Sequence, residues 1–372
     1  MNSIVNNKKG AALVVTLAIV AILVAAALQL GKSTGESVMA TLKEKDYFQA
    51  QQYAVSGIEL ARLILSEDAA KNQIDSIQEV WADSDILSEA VKEMGLDKSN
   101  LTIKIIDALS KIQVNALLEK FPGNQLNIDQ AGIWERFLYA RSSSDKNNYN
   151  MVNEQDPISI INGVKDWLDS LDDDAISGIS GAESDYYLGL EPSYVCANAP
   201  FNHIDELFSV KGISKDLLKK DDTNDFIENE PELELKDIFT IYGLEQKNLG
   251  NGGYRYGGKI NINTAGVDIL KALLPTGMEE LAMDLVDFRA QKSEEGDTFV
   301  NSLDKGWYKK VIDLSKKEQK KFERVISYSS NIFKVECTGR ENSAVIKLTA
   351  RIKREKHKES GKWMCRIIQM ER

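Results

Sequence analysis

Twenty consecutive uncharged residues, Ala11–Leu30 (AALVVTLAIVAILVAAALQL), restrict what this 372-residue chain can fold into more than any other stretch in it. Only Thr16 and Gln29 are polar there. As a helix rising 1.5 Å per residue, the run spans roughly 30 Å, the hydrocarbon thickness of a bilayer. Lys8 and Lys9 precede it, so the positive-inside rule predicts a single pass with residues 1–10 in the cytoplasm and the rest outside. A cleaved signal peptide is the competing reading, with Ala25-Ala26-Ala27 as a small-residue cleavage site. Its apolar core ordinarily runs about 7–15 residues, shorter than this one.

The following stretch, residues 36–65, contains no proline and continues in helical pattern. Val38, Leu42, Tyr47, Ala50, Ala54, Gly57, Ile58, Ala61 and Leu65 recur at three- and four-residue steps. The span and an amphipathic helix are therefore expected to form one rod, with bends possible at Gly31 and Gly35. The Ala50, Ala54, Gly57 and Ala61 stripe is expected to pack against helices of other subunits.

Charge excludes several classes. The chain carries 46 Lys+Arg against 57 Asp+Glu, a net charge of −11, which argues against a general binder of nucleic-acid backbones. Two histidines, His203 and His357, leave little room for a catalytic triad, and neither lies near a nucleophile motif. No catalytic residue is assigned. Gly253–Lys259 matches the spacing of a phosphate-binding loop, but Ile260 stands where Ser or Thr is required. Three cysteines build no disulfide framework, although Cys337 and Cys365 could pair if their strands are neighbours.

Strand-like alternation appears at both ends of the chain. Thr102–Ile106 and Lys111–Ala116 read as two strands, and Ile332–Cys337, Ala344–Lys353 and Trp363–Met370 as three more. They share a sheet only if residues 119–327 form an insertion, which is helix-like and rich in Asp, Glu, Asn and Gly. Within it, Asn202–Ile213 and Thr264–Met278 each pair a helix start with an apolar–Gly–apolar turn. This resembles a helix-hairpin-helix, with Lys211 and Lys215 beside the first turn but Glu279 and Glu280 beside the second. Two packed helical hairpins account for it; a periplasmic DNA-binding protein is the alternative function.

A short basic leader ending in Gly10, an apolar helix opening Ala11-Ala12-Leu13 and an amphipathic continuation together resemble a type IV pilin-like precursor. Asp166-Trp167-Leu168-Asp169, Gly181–Leu188, Ala197–Pro200 and Gly258–Ala265 then follow in an order similar to the minor pseudopilin K family of type II secretion. The resemblance implies an α+β fold, with a long N-terminal helix and an antiparallel sheet carrying a large helical insertion. It divides the chain into a leader (1–10), a transmembrane helix (11–30), its amphipathic continuation (31–70), a pilin-like domain (71–118 and 328–372) and the inserted domain (119–327). It also implies cleavage between Gly10 and Ala11 by a prepilin peptidase, followed by methylation of the new N-terminus. Most such subunits carry Glu at the fifth mature position, thought to neutralise the N-terminal amine of a neighbour; Val15 stands there, which suggests the filament tip.

The implied role is to initiate or cap a pseudopilus for protein export, without enzymatic activity. The chain would sit in the bacterial inner membrane with its C-terminal domain in the periplasm. Its implied partners are other minor pseudopilins and the major pseudopilin, and no nucleic acid is expected. From Asp166 to Glu191 there are eight acids and no Lys or Arg, a density that calls for solvent or a cation. The spacing does not define a site alone. The resemblance implies structural calcium, with Asp169, Asp172, Asp173, Glu183 and Asp185 as the pool of ligands. A second acidic run, Asp221–Asp237, reads as a solvated face.

Overall fold

In a computed structural model of the chain, residues 8–96, 99–141, 156–170, 176–178, 180–215, 234–245, 252–296 and 298–372 are described. Helix α1 (Lys8–Lys71) is continuous through Gly31 and Gly35, so neither glycine breaks it. After α2 (Ser84–Glu93) comes β1 (Leu101–Asp107), and the chain then leaves the sheet. The excursion contains β2 (Ile112–Gln113), α3 (Ile128–Arg141), α4 (Pro157–Leu168), α5 (Ser184–Leu188), α6 (Leu235–Ile238) and β3 (Phe239–Thr240). It continues through β4 (Leu244–Glu245), β5 (Arg255–Tyr256), β6 (Ile260–Asn261), α7 (Val267–Leu273), α8 (Leu281–Ala290), α9 (Lys316–Val325) and β7 (Ile326–Ser327). The sheet resumes with β8 (Ile332–Glu341), β9 (Ala344–Lys356) and β10 (Trp363–Glu371).

The main sheet is antiparallel in the order β1-β8-β9-β10. It is the helix-plus-sheet of the expected α+β class, with the insertion between β1 and β8. The expected second strand, Lys111–Ala116, is not part of it. Only Ile112–Gln113 is extended, pairing in parallel with β3, and Val114–Leu117 winds into a 3₁₀ helix. Its apolar side chains belong to another core. Ile112, Val114, Leu117 and Leu118, placed with the pilin-like domain from sequence, are buried in the core of the inserted region.

Helix α1 covers one face of the sheet. Ala50, Ala54, Ile58, Ala61 and Leu65 are buried against Ile103, Val335, Cys337, Leu348 and Ile352. The small-residue stripe expected to meet other subunits is thus used inside the molecule. Small residues there let the helix lie almost on the strands. A Cβ on Gly57 would come within 2.9 Å of the Cys337 sulfur, and one on Gly339 would overlap the Ala50 carbonyl oxygen. Both glycines are required by close approach.

Helix α1 also closes an edge. Arg62 Nε and Nη2 donate to the Cys365 carbonyl at 3.0 and 2.8 Å, and Ser66 Oγ donates to that of Trp363 at 2.9 Å. These acceptors on β10 are therefore satisfied without a further strand. Cys337 and Cys365 are both buried free thiols, and β9 runs between their strands. Burial pushes the two thiols up to about 12 and about 11 respectively.

The excursion is tied down where it leaves and returns. Asp107, the last residue of β1, is buried, and its Oδ2 accepts from Asn261 Nδ2 (2.8 Å), Thr264 Oγ1 (2.6 Å) and Ser330 Oγ (2.7 Å). Its Oδ1 accepts from the Leu109 amide at 2.7 Å. Thr264, expected to cap a helix, serves this carboxylate instead, and Gly266 takes the cap position of α7.

Candidate functional site

Asp156 starts α4 by accepting from the Ile158 amide, with Pro157 in the first turn. Three residues apart at the other end, Asp166 and Asp169 project from one side of the helix. Ala182 folds back so that its amide donates to Asp166 Oδ2 at 2.9 Å, and the Ser177 amide lies 3.1 Å from both Asp166 oxygens. Gly181 is where the returning chain passes this carboxylate, and a Cβ there would collide with Asp166 Oδ2. The return brings in Glu183, whose carboxylate lies with those of Asp166 and Asp169 inside a group spanning no more than 4.8 Å. All three are buried.

Among the described residues, Lys165 brings a cation here, its Nζ lying 2.8 Å from Asp169 Oδ2 and 3.8 Å from Asp166 Oδ1. Three carboxylates this close together in a low-dielectric setting call for positive charge beside them. Burial holds the Asp166 carboxyl above the usual carboxylate range, even though Ser177, Lys165 and Ala182 pull it down. Buried, oxygen-only donors converging on one point suit a hard cation taking six to eight oxygens. Aromatic rings close the floor: Trp167 meets Tyr187 edge-on at 5.2 Å and stacks with Phe201 at 6.2 Å.

Of the expected ligands, Asp169 and Glu183 are brought together. Asp185 is not in the group; it is exposed in the first turn of α5. Asp172 and Asp173 lie outside the described residues, as do residues 221–233 of the second acidic run. Asp166, the third member of the group, was not among the expected ligands, although its i, i+3 relation to Asp169 at a helix end was the available signal.

The remaining motifs have structural uses. The turns at Gly212 and Gly277 both have positive φ, 82° and 89°. In the second, Glu279 accepts from the Gly277 amide at 2.8 Å, filling the donor a phosphate would use. In the first, the Lys211 ammonium sits 4.7 Å from the centre of the Tyr186 ring. His203 accepts from the Asp205 amide at 3.4 Å as a helix cap, with Glu206 completing the box. Within Gly253–Lys259, Tyr254 stacks on Phe121 at 5.7 Å and Arg255–Tyr256 is strand β5, so this loop is packed rather than open. At the N-terminus, Gly10, Ala11 and Val15 lie on the exposed surface of α1, and the apolar window of that helix has none of its surface buried within the molecule.

Residues 111–220 match the sequence pattern of the family described as type II secretion system (T2SS), protein K. The type II secretion system protein K of Pectobacterium carotovorum subsp. carotovorum is 29% identical over 217 residues, 58% of this chain and 61% of that protein. The Klebsiella pneumoniae protein of the same description is 23% identical over 218 residues, again 58% and 61%. The chain thus spans about three fifths of the length of these curated relatives. In fold, it matches a chain of the crystal structure of the GspK-GspI-GspJ complex from enterotoxigenic Escherichia coli, with a TM-score of 0.55 and 17% identity. That likeness covers 89% of this chain and 98% of the other. In the sequence of residues 111–220 and in the fold of most of its length, the chain is similar to protein K of type II secretion systems.

Proposed function

We propose that the chain is a minor pseudopilin that stands at the tip of a type II secretion pseudopilus and initiates or caps its assembly. The observation that carries this reading is the bulky region placed between β1 and β8 of a helix-and-sheet body. A subunit stacked above such a body would meet that bulk. Val15 supports the same reading, because a subunit with nothing above it needs no acid to neutralise a neighbour's amine. Residues 11–30 anchor the chain in the inner membrane and the folded body stands in the periplasm. A prepilin peptidase cuts between Gly10 and Ala11, and the new terminus is methylated.

The partners are two other minor pseudopilins, with the major pseudopilin beneath. Since the Ala50–Ala61 stripe is covered by the chain's own sheet, the contact falls to the exposed side of α1 and to Leu13–Leu30. The acids of the inserted region hold structural calcium. Asp166, Asp169 and Glu183 are the ligands, joined by Asp172 and Asp173. Bound there, the ion supplies positive charge that ties the end of α4 to the returning segment, and no chemical step passes through it.

The test is co-purification of the full chain with candidate minor pseudopilins from detergent-extracted membranes. A stable complex is expected, together with loss of pseudopili in a strain lacking this chain. Normal filaments in that strain would overturn the reading.

A further inference from the structure

Where α1 ends, the chain crosses from the sheet to the inserted region through a strap, residues 72–79. The strap is held on both sides. The Asp75 amide donates to Tyr328 O and the Asp75 carbonyl accepts from Asn261, each at 2.9 Å. Gln78 Nε2 donates to the carbonyls of Arg289 (2.9 Å) and Asn301 (3.0 Å) in the inserted region. On the sheet side the direct cation among the described residues is Arg354 of β9, which is buried. It donates to both Asp75 oxygens at 2.6 Å and to Asp68 Oδ2 at 3.0 Å. Phe333 and Trp363 lie 4.9 and 5.9 Å from the guanidinium carbon.

A third acid completes the group. Glu79 accepts from Trp81 Nε1 (2.7 Å), Asn72 Nδ2 (3.1 Å) and the Ser76 amide (3.2 Å). Carboxylate oxygens of Asp68, Asp75 and Glu79 all lie within 4.8 Å of one another. Fully ionised, they set three negative charges against one guanidinium, with Lys71 of α1 the further cation acting on Asp68. Asp107, itself buried, adds a fourth acid, reached through Ser330, whose amide binds Asp75 and whose hydroxyl binds Asp107. The group also has access to water. Asn72, Ser330, Arg354 and Trp363 line an open cleft of about 1210 Å³ between α1, the β9–β10 hairpin and the inserted region.

We propose that Asp68, Asp75 and Glu79, gathered on Arg354, form a proton-operated clasp that holds the strap, and with it the inserted region, against the sheet. With one or two protons aboard, the charges balance and the clasp is shut. With none, like charges push the strap away, and Trp81, which Glu79 holds against Phe333, is released. Burial, then the neighbouring Asp75, brings the Asp68 carboxyl up from 3.8 to about 6. Burial, then Asp68, brings Glu79 up from 4.5 to about 7. Folded values above unfolded ones mean that the folded chain keeps protons the unfolded chain has released. The stabilisation is full below about pH 4 and is lost as pH rises through 6 to 7.

The experiment uses the full chain in detergent micelles and compares wild type with Glu79→Gln and Asp68→Asn at pH 5.5 and 8.0. The wild-type melting midpoint should drop by roughly 3 °C or more between the two pH values. Each variant should show a smaller drop and melt above wild type at pH 8.0. Hydrogen exchange over residues 72–82 should be faster in wild type than in Glu79→Gln at pH 8.0 and equal at pH 5.5. The same pH dependence in all three proteins would overturn the clasp. So would a variant that melts below wild type at pH 8.0, because neutralising an acid should close the clasp.

Discussion

The body made by α1 and the four-stranded sheet and the region inserted into it are held together by different means. In the body, alanines and glycines let a helix lie directly on β8, and apolar contact supplies most of the stability. The inserted region has a large core of its own, but its elements are short and polar groups position them. Examples are the Asp107 acceptor, the buried guanidinium of Arg289 on the Ile262 and Ala265 carbonyls, and the acids at the end of α4. Close packing tolerates almost no change of shape, whereas polar staples are sensitive to charge and to whatever ion is present.

Substitutions can break or sharpen that contrast. The largest effect is expected at the seam, where Arg354→Met leaves Asp75 fully buried without its cation. A loss of about 3–5 kcal/mol in urea unfolding is expected, and a near-neutral result would mean that the two regions are not joined through this pair. Calcium should act on the inserted region alone. At a hundredfold excess over its dissociation constant it should add about 2.7 kcal/mol, read as a higher melting midpoint than in chelator. Equal midpoints would remove the ion from the picture, and a gain that survives replacement of both Asp169 and Glu183 by their amides would place it elsewhere.

Gly339→Ala addresses the body alone. The new methyl group meets the Ala50 carbonyl, so α1 must lift and about 1–3 kcal/mol should be lost. An unchanged midpoint would show that the helix sits less tightly than the contact implies. The smallest effect is that of Ser315→Ala at the start of α9, where Ser315 Oγ accepts from the Glu318 amide at 3.4 Å. Loss of this cap should cost about 1 kcal/mol. A larger cost would mean that local helix starts weigh more in the inserted region than the polar staples do.

The same contrast decided what could be read from the sequence. The apolar run, the single helix and the strands at 101–107 and 332–371 were legible, because each is a long periodic signal. The strand expected at Lys111–Ala116 was not, because two residues pair with a segment more than a hundred positions away. Alternation alone could not report that partner. The Ala50–Ala61 stripe shows a second limit: periodicity locates an apolar face but does not say whether the same chain covers it. At the acidic site the sequence located the region and two of the three converging acids. Asp185 was misplaced because α5 turns it outward, and Asp166 was passed over although it is the member tied to two backbone amides.

The seal on β10 has a consequence for the order in which the chain comes together. Arg62 and Ser66 precede the carbonyls they cover by 303 and 297 positions. Synthesis from the N-terminus delivers the two sealing side chains long before the strand. When β10 emerges, the groups that occupy its open edge are already in place on α1. The carbonyls of Trp363 and Cys365 therefore need not stand open to another strand once β10 has formed.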